Sequence, residues 1–290
     1  MSTKVAPADD TGSAVRARAL GKRYRAKWAL RDCTFELPAG RVAALVGANG
    51  AGKTTLMTVL AGLLDADEGS ADAVGRVAFV PQDKPVYRHF TATDVLRLGA
   101  RLNAVWDEAR ARRWLARFDV PLDAPCGRLS GGRRAQVAFA LAIGSRPDVL
   151  LLDEPMADLD PLARREATAE LLAEVADTGM TVLLSTHLVT ELSGVADHLL
   201  LLAHGRLLAG GDLDELLDRH VSCTGPRSDA PPVPGEVVAA RHVDNQSTFL
   251  VRLPVGAPRP VAAAPWVLRP PTVEDYVLTQ LEAGRNGVAA

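Results

Sequence analysis

Gly47-Ala48-Asn49-Gly50-Ala51-Gly52-Lys53-Thr54-Thr55 fits the pattern G-x-x-x-x-G-K-[ST] of a phosphate-binding loop. Ahead of it runs Arg41-Val42-Ala43-Ala44-Leu45-Val46, short, apolar and partly β-branched, which reads as a buried strand. Behind it Leu56, Met57, Val59, Leu60, Leu63 and Leu64 recur at helical spacing. A strand before and a helix after is the context that separates this pattern from a glycine-rich turn capping an ordinary helix. Glycines let backbone N–H groups turn toward phosphate oxygens, and a helix N-terminus adds free donors and a positive dipole end. Gly47, Asn49, Gly50, Gly52, Lys53, Thr54 and Thr55 are therefore the candidate nucleotide contacts. Lys53 is expected to reach the β- and γ-phosphates, and the Thr54 hydroxyl to hold Mg²⁺.

Bulk properties narrow the class. A chain of 290 residues has room for one large domain and a small one. The formal charge of −2 gives nucleic-acid binding no electrostatic support, and no nucleic-acid partner is expected. Cys33, Cys126 and Cys223 lie far apart without metal-ligand spacing and suit a reduced compartment. The polar, acidic start has no signal-peptide core, and no apolar run approaches the ~18 residues of a membrane helix. Any membrane role then comes through a partner.

Taken in order, 1–14 reads as a disordered tail and 15–37 as early strands, with Tyr24 a half-buried strand residue on pattern alone. Asp65-Ala66-Asp67-Glu68-Gly69-Ser70 reads as a turn, and Arg76-Val77-Ala78-Phe79-Val80 as a strand ending in Pro81-Gln82. A glutamine there is either a surface polar group or one aimed at the γ-phosphate edge. Residues 88–146 look like an all-helical insertion. Thr93 is expected to cap a helix through Leu102, 107–118 forms a second helix, and Leu129-Ser130-Gly131-Gly132-Arg133 opens a third. Val149-Leu150-Leu151-Leu152 suits a central parallel strand covered on both faces. Two acids at its end need partners. Asp153 makes sense as the holder of Mg²⁺ and Glu154 as the base that orients water. A helix over 161–175 and a strand over 181–185 follow, closed by Thr186-His187. His187 is read either as a surface residue or as a γ-phosphate contact. A helix over 188–195, a hairpin turning at Gly205-Arg206 and a short helix over 213–217 complete the domain. Residues 226–235 look like a linker, and 236–290 like a small α/β appendage, with a capping box at Thr272-Val273-Glu274-Asp275.

The ordered set of phosphate loop, Gln82, Leu129 to Arg133, Asp153-Glu154-Pro155, Asp158-Leu159-Asp160 and His187 resembles the ATP-binding subunit of an ABC transporter over residues 15–225. The Ser-Gly-Gly signature is the specific part. The resemblance implies an α/β fold: a phosphate-loop NTPase core with a mostly parallel sheet and a helical signature subdomain. It implies ATP and Mg²⁺ as cofactors. Tyr24 looks like the aromatic that stacks on adenine, and Gln82 like the residue that touches Mg²⁺ or water and reports to the membrane subunit. Ser130, Gly131 and Gly132 look like the signature that binds the γ-phosphate of ATP held by the opposite subunit. Asp160 looks like the aspartate that contacts the other subunit's phosphate loop, and His187 like the γ-phosphate switch. The implied partners are a separate transmembrane permease and a second ATPase subunit, the same chain or a different one, in a head-to-tail dimer. The implied place is the cytoplasmic face of the membrane.

Some residues depart from that pattern. Ala48 replaces a common proline, Arg133 the usual glutamine, and Asp158 a small residue, often glycine. The start of the helix at Pro161 and the tail from Pro271 look most like ATPases of the drug-export or ABC-2 type in actinobacteria. A soluble ABC ATPase acting on ribosomes or DNA is the competing reading. The chain carries neither the second cassette nor the zinc cysteines such proteins usually have. Intact Lys53, Asp153, Glu154 and His187 argue against a non-hydrolysing regulatory module.

Overall fold

The computed structural model describes residues 12–189, 194–258, 260–261 and 264–287. A six-stranded sheet forms its centre. It is built from β3 (Val42–Val46), β5 (Val77–Val80), β6 (Val149–Leu152), β7 (Thr181–Thr186), β8 (His198–Ala203) and β9 (Arg206–Asp212), in the order β5-β6-β7-β3-β8-β9. All neighbours are parallel except β9, which returns antiparallel on β8 through the expected hairpin. The inner strands are buried at every position, as continuous apolar runs in a sheet covered on both faces should be.

Alternate residues feed two cores. Ala43, Leu45, Leu151, Leu183 and Leu200 face α1 (Lys53–Leu60), whose Leu56, Met57 and Leu60 are buried among them. Beyond α1 lies an antiparallel sheet of β1 (Ser13–Tyr24), β2 (Lys27–Pro38) and β4 (Glu68–Ala73), in the order β2-β1-β4. Two expectations are corrected here. The tail was expected to reach residue 14, but β1 starts at Ser13, and residues 1–11 lie outside the described part. The expected turn over 65–70 gives way at Glu68 to β4, because pairing with β1 satisfies its backbone despite a sequence poor in strand formers.

Val46, Leu150, Leu152, Val182 and Leu184 face the opposite core. There the helical block packs, with α2 (Ala92–Leu102), α3 (Glu108–Arg117) and α4 (Gly131–Gly144). The cap of α2 is Thr91, not Thr93. Thr91 Oγ1 accepts the Asp94 N–H while the Asp94 carboxylate accepts the Thr91 N–H, so the acid three residues on fixes the start. Thr93 instead donates its hydroxyl to the Leu122 carbonyl. Leu102, placed on the apolar face by its spacing, is 74% exposed at the helix end. Trp114 anchors the block. Its ring stacks on Phe139 and its Nε1–H donates to Gln136 Oε1 at 2.8 Å. Further on, α5 (Pro161–Thr178) runs longer than expected and stops at Gly179, which takes a left-handed φ of 68°. Of the helix expected over 188–195, residues 190–193 lie outside the described part, and Gly194 and Val195 form a turn.

The C-terminal unit has a different boundary from the one expected. Beyond α6 (Leu213–Asp218), strand β10 (His220–Pro226) sits inside the C-terminal sheet. Its partners are β12 (Gln246–Arg252) and β13 (Val267–Arg269), and β11 (Glu236–Val243) lies on the far side of β12. The stretch over 226–235 is therefore a loop joining two strands of one sheet, not a linker between domains. The final helix α7 (Val273–Gly287) opens on the capping box at Thr272 and Asp275. It buries Tyr276 and Val277 in the same core as the main sheet.

Two imidazoles make this fold sensitive to acid. Burial pushes His198 and His220 below the ordinary histidine value of 6.5. The Nδ1–H of His220 donates to the Leu216 carbonyl at 2.6 Å and its ring packs edge-on against Tyr276. The folded form holds both rings neutral, so the unfolded chain binds more protons below pH 6.5. Their contribution is complete above that value and lost as pH falls through the lowered folded values. The urea midpoint is expected to drop between about pH 7 and about pH 5. A His198→Gln, His220→Gln double variant should drop less, relative to its own midpoint at neutral pH. An equal drop would remove these rings as the cause.

Candidate functional site

Parallel register gathers the site. Val80 is level with Leu152, Leu152 with Leu184, and Val46 with Thr186, so four strands end on one edge. The residues that follow them, Gln82, Asp153, His187 and Gly47, project beyond the carboxyl ends of the strands, where open α/β sheets bind ligands.

The phosphate loop is laid tightly against its neighbours. A Cβ on Gly47 would stand 2.3 Å from the Leu202 carbonyl oxygen. Gly52 has φ +110° and a Cβ there would stand 2.5 Å from the Ala29 carbonyl oxygen. Only glycine fits either position. Gly52 caps α1 without any side-chain acceptor, and no acid lies in the first turn, so the N–H groups there remain for an anion. The buried ammonium of Lys53 donates to the carbonyls of Gly47 at 2.8 Å and Ala48 at 3.4 Å and lies 3.7 Å from Glu154 Oε1.

The two acids after β6 sit in different surroundings. Asp153 is 1% exposed, and its carboxylate accepts hydroxyl hydrogens from Thr54 at 2.7 Å and Ser185 at 2.6 Å. Ser185 Oγ in turn accepts the backbone N–H of Glu154 at 2.8 Å. Glu154 has φ +45°, a left-handed conformation uncommon outside glycine and a mark of a held side chain. Its carboxylate has Lys53 on one side, Gln82 Nε2 at 3.5 Å and His187 Nδ1 at 3.3 Å. Gln82, Lys53, Glu154 and His187, far apart in sequence, thus meet around one carboxylate.

A cleft of about 500 Å³ runs from this cluster along the loop past Asn49, Gly50 and Thr55 to Tyr24. Tyr24 is 51% exposed, with its ring at the far end of the cleft. Trp28 and Lys27 line the same end, and the Arg23 guanidinium lies 5.4 Å from the Trp28 ring centroid. Trp28 was legible only as a strand residue, as was Ser185. The alternation that makes a strand visible does not say what its end touches.

Ser130, Gly131, Gly132 and Asp160 do not line this cleft. Ser130 caps α4, accepting the Arg133 N–H at 3.3 Å. Asp160 caps α5, accepting from the backbones of Leu162 and Ala163. Both are exposed.

Ser185 is the simplest test of this geometry. Ser185→Ala removes one donor to a buried carboxylate and orphans the Glu154 N–H, a cost of about 1–3 kcal/mol. Denaturant unfolding of the purified variant is expected to show a loss of that size. An unchanged midpoint would mean that other groups satisfy Asp153.

Comparison with known proteins agrees with the geometry. The model of the ABC transporter family matches residues 30–157. The probable multidrug ABC transporter ATP-binding protein YbhF of Escherichia coli is 37% identical over 198 residues, 62% of this chain and 34% of that protein. The chain thus spans about a third of the length of that relative. The aliphatic sulfonates import ATP-binding protein SsuB of Corynebacterium glutamicum is 38% identical over 200 residues, covering 67% of this chain and 82% of that protein. A solved structure described as the ATP binding subunit of an ABC transporter superposes with a TM-score of 0.64 at 28% identity, covering 71% of this chain and 92% of that one. With its loop, acidic pair and signature in the family's order and its sheet in the family's fold, the chain belongs to the ATP-binding proteins of ABC transporters.

Proposed function

We propose that the chain binds ATP with Mg²⁺, hydrolyses it in a head-to-tail dimer, and so powers a separate membrane permease. The observation that carries this reading is the Glu154 carboxylate at the end of the cleft, with Lys53, Gln82 and His187 around it. Lys53 and the free donors of α1 would neutralise the β- and γ-phosphates. Glu154 would take the proton of an attacking water, with Gln82 and His187 fixing its direction. Among the described residues, no group of three His, Cys, Asp or Glu could hold a metal by itself. The paired oxygens of Thr54 and Asp153 suit instead a Mg²⁺ that keeps phosphate oxygens among its ligands, with Gln82 close by. Bound there, that ion would supply charge neutralisation.

The second ATPase subunit follows from the separation of the two faces. Ser130 to Gly132 and Asp160 present helix N-termini outside the lining of the same chain's cleft, so a second chain would bring them to its nucleotide. The permease would dock on the helical block. Exposed Tyr87 and Phe90, a few residues after Gln82 in the chain, have ring centroids 5.0 Å apart and form an apolar spot. No described helix is long and apolar enough to cross a membrane, so attachment to the cytoplasmic face would run through that permease. Export of the drug or ABC-2 type is the direction favoured by the resemblance of the 161–165 helix start and the tail. YbhF is named for multidrug transport and SsuB for import.

Glu154→Gln separates binding from cleavage. It keeps the size of the side chain and removes the base, so hydrolysis is expected to fall by about 10²–10⁴-fold. Loss of one negative charge beside the triphosphate leaves ATP binding intact or tighter. With ATP and Mg²⁺ the variant is expected to elute as a dimer from a sizing column and without nucleotide as a monomer. Hydrolysis at the wild-type rate would contradict the assignment of Glu154.

A further inference from the structure

Lys84 is buried, charged and unused by the chemistry described above. Its side chain is 3% exposed, yet Nζ lies 2.8 Å from Asp158 Oδ2, whose own side chain is 52% exposed. The same ammonium donates to the Gln82 carbonyl at 3.2 Å. The backbone of Lys84 is left-handed, with φ +44°, in a turn closed by its N–H on the Pro81 carbonyl. Such a conformation is unfavourable for an L-residue. Here it directs the ammonium inward.

The surroundings of Asp158 give that acid a consequence. A Cβ built on Gly131 would stand 3.7 Å from Asp158 Cβ, and one on Gly132 would stand 3.9 Å from the Asp158 carbonyl and 3.1 Å from Leu159 Cδ2. The acid therefore lies directly against the N-terminus of α4, whose free N–H groups attract anions. A carboxylate loose at that point would occupy the donors itself and repel a triphosphate brought to them.

We infer that Lys84 is a positioning residue that neutralises Asp158 and turns its carboxylate away from the Ser130-Gly131-Gly132 helix end, so that this face can receive the nucleotide of a second subunit. The inference rests on the shared-site reading above and adds a named requirement to it. One ammonium also joins the loop carrying Gln82, which serves the chain's own nucleotide, to the loop carrying Asp158 and Asp160, which faces the other chain's.

The test uses the full-length chain in the Glu154→Gln background, with the ATP concentration that half-saturates dimer formation as the readout. Lys84→Met is expected to raise that concentration roughly tenfold, equivalent to about 1.4 kcal/mol, within the range of charge effects at helix ends. Lys84→Gln, which keeps a donor but no charge, should do the same. Adding Asp158→Asn to either variant should bring the value back to within about twofold of the parent, because the offending anion is gone. Affinity for ADP, read with a fluorescent ADP analogue, should stay unchanged throughout, since Lys84 is not part of the cleft lining. A midpoint unmoved by either Lys84 change overturns the inference while leaving the shared site standing. So does a defect that Asp158→Asn fails to relieve, which would mean that Lys84 only supports the Gln82 turn. If the Glu154→Gln parent itself does not dimerise with Mg²⁺ and ATP, the homodimeric form of the shared-site reading falls first and this inference falls with it.

Discussion

A carboxylate without water must have partners, and the site is arranged around meeting that requirement for Asp153. Its two partners come from different places, Thr54 in the first turn of α1 and Ser185 at the end of β7. Holding both fixes the phosphate loop and the β7 edge relative to β6. The same three segments carry Lys53, Glu154 and His187. The positions of those three groups are therefore set by the satisfaction of one buried charge. Ser185 extends the network to the Glu154 backbone, whose left-handed turn is held from below by that bond. Such networks are sharply position-dependent, because leaving any member unpaired costs more than the bond itself is worth.

The parts legible in the sequence were those in which local pattern and global role coincide. β3, β6, β7 and β8 are unbroken apolar runs because both faces of the sheet are covered, and the run itself announces the burial. The phosphate loop was legible because its glycines have to approach neighbouring carbonyls more closely than any Cβ allows. What stayed hidden depends on tertiary partners. β4 reads as a turn because Glu68, Gly69 and Ser70 have little intrinsic liking for strands, and only β1 makes them one. The proline- and glycine-bearing stretch after β10 reads as a domain linker, whereas the pairing of β10 with β12 places it inside a sheet. Thr91 and Thr93 are both plausible caps by residue type. The choice fell to the one with an acid three residues further on. Ser185, Trp28 and Lys84 carry no motif, and each matters only through what stands opposite it.

The reading proposed above assigns two parts of the chain to nucleotide. One is a cleft lined by the phosphate loop, the Glu154 carboxylate and the aromatic side chains of Tyr24 and Trp28. The other is a pair of helix N-termini, those of α4 and α5, capped by Ser130 and Asp160 and exposed. Ser130 and Asp160 are not among the residues that line the cleft. If ATP binds in the cleft as proposed, a γ-phosphate side left open to water would be poor for directing one water in line and excluding the rest. Joining two chains head to tail would supply donors on that open side and make hydrolysis conditional on assembly. That dependence is what would let the binding of a small molecule move two subunits, and through them a membrane partner. The Lys84–Asp158 pair lies where the two faces adjoin in the chain, between Gln82 and the signature helix.

Contact between the signature of one chain and the phosphate loop of another is the centre of this account, and it can be read directly. A photoreactive side chain placed at Ser130 in the full-length protein would be irradiated in membranes from cells that make it, with and without ATP and Mg²⁺. Cys33, Cys126 and Cys223 are buried and leave the reagent no competing thiol at the surface. The expected product joins position 130 covalently to the phosphate loop of a second ATPase subunit, within residues 47–55 where that subunit is another copy of this chain. It should appear with ATP and fade with ADP. Products confined to the same chain, or joining position 130 only to surfaces away from any phosphate loop whatever the nucleotide, would contradict the account.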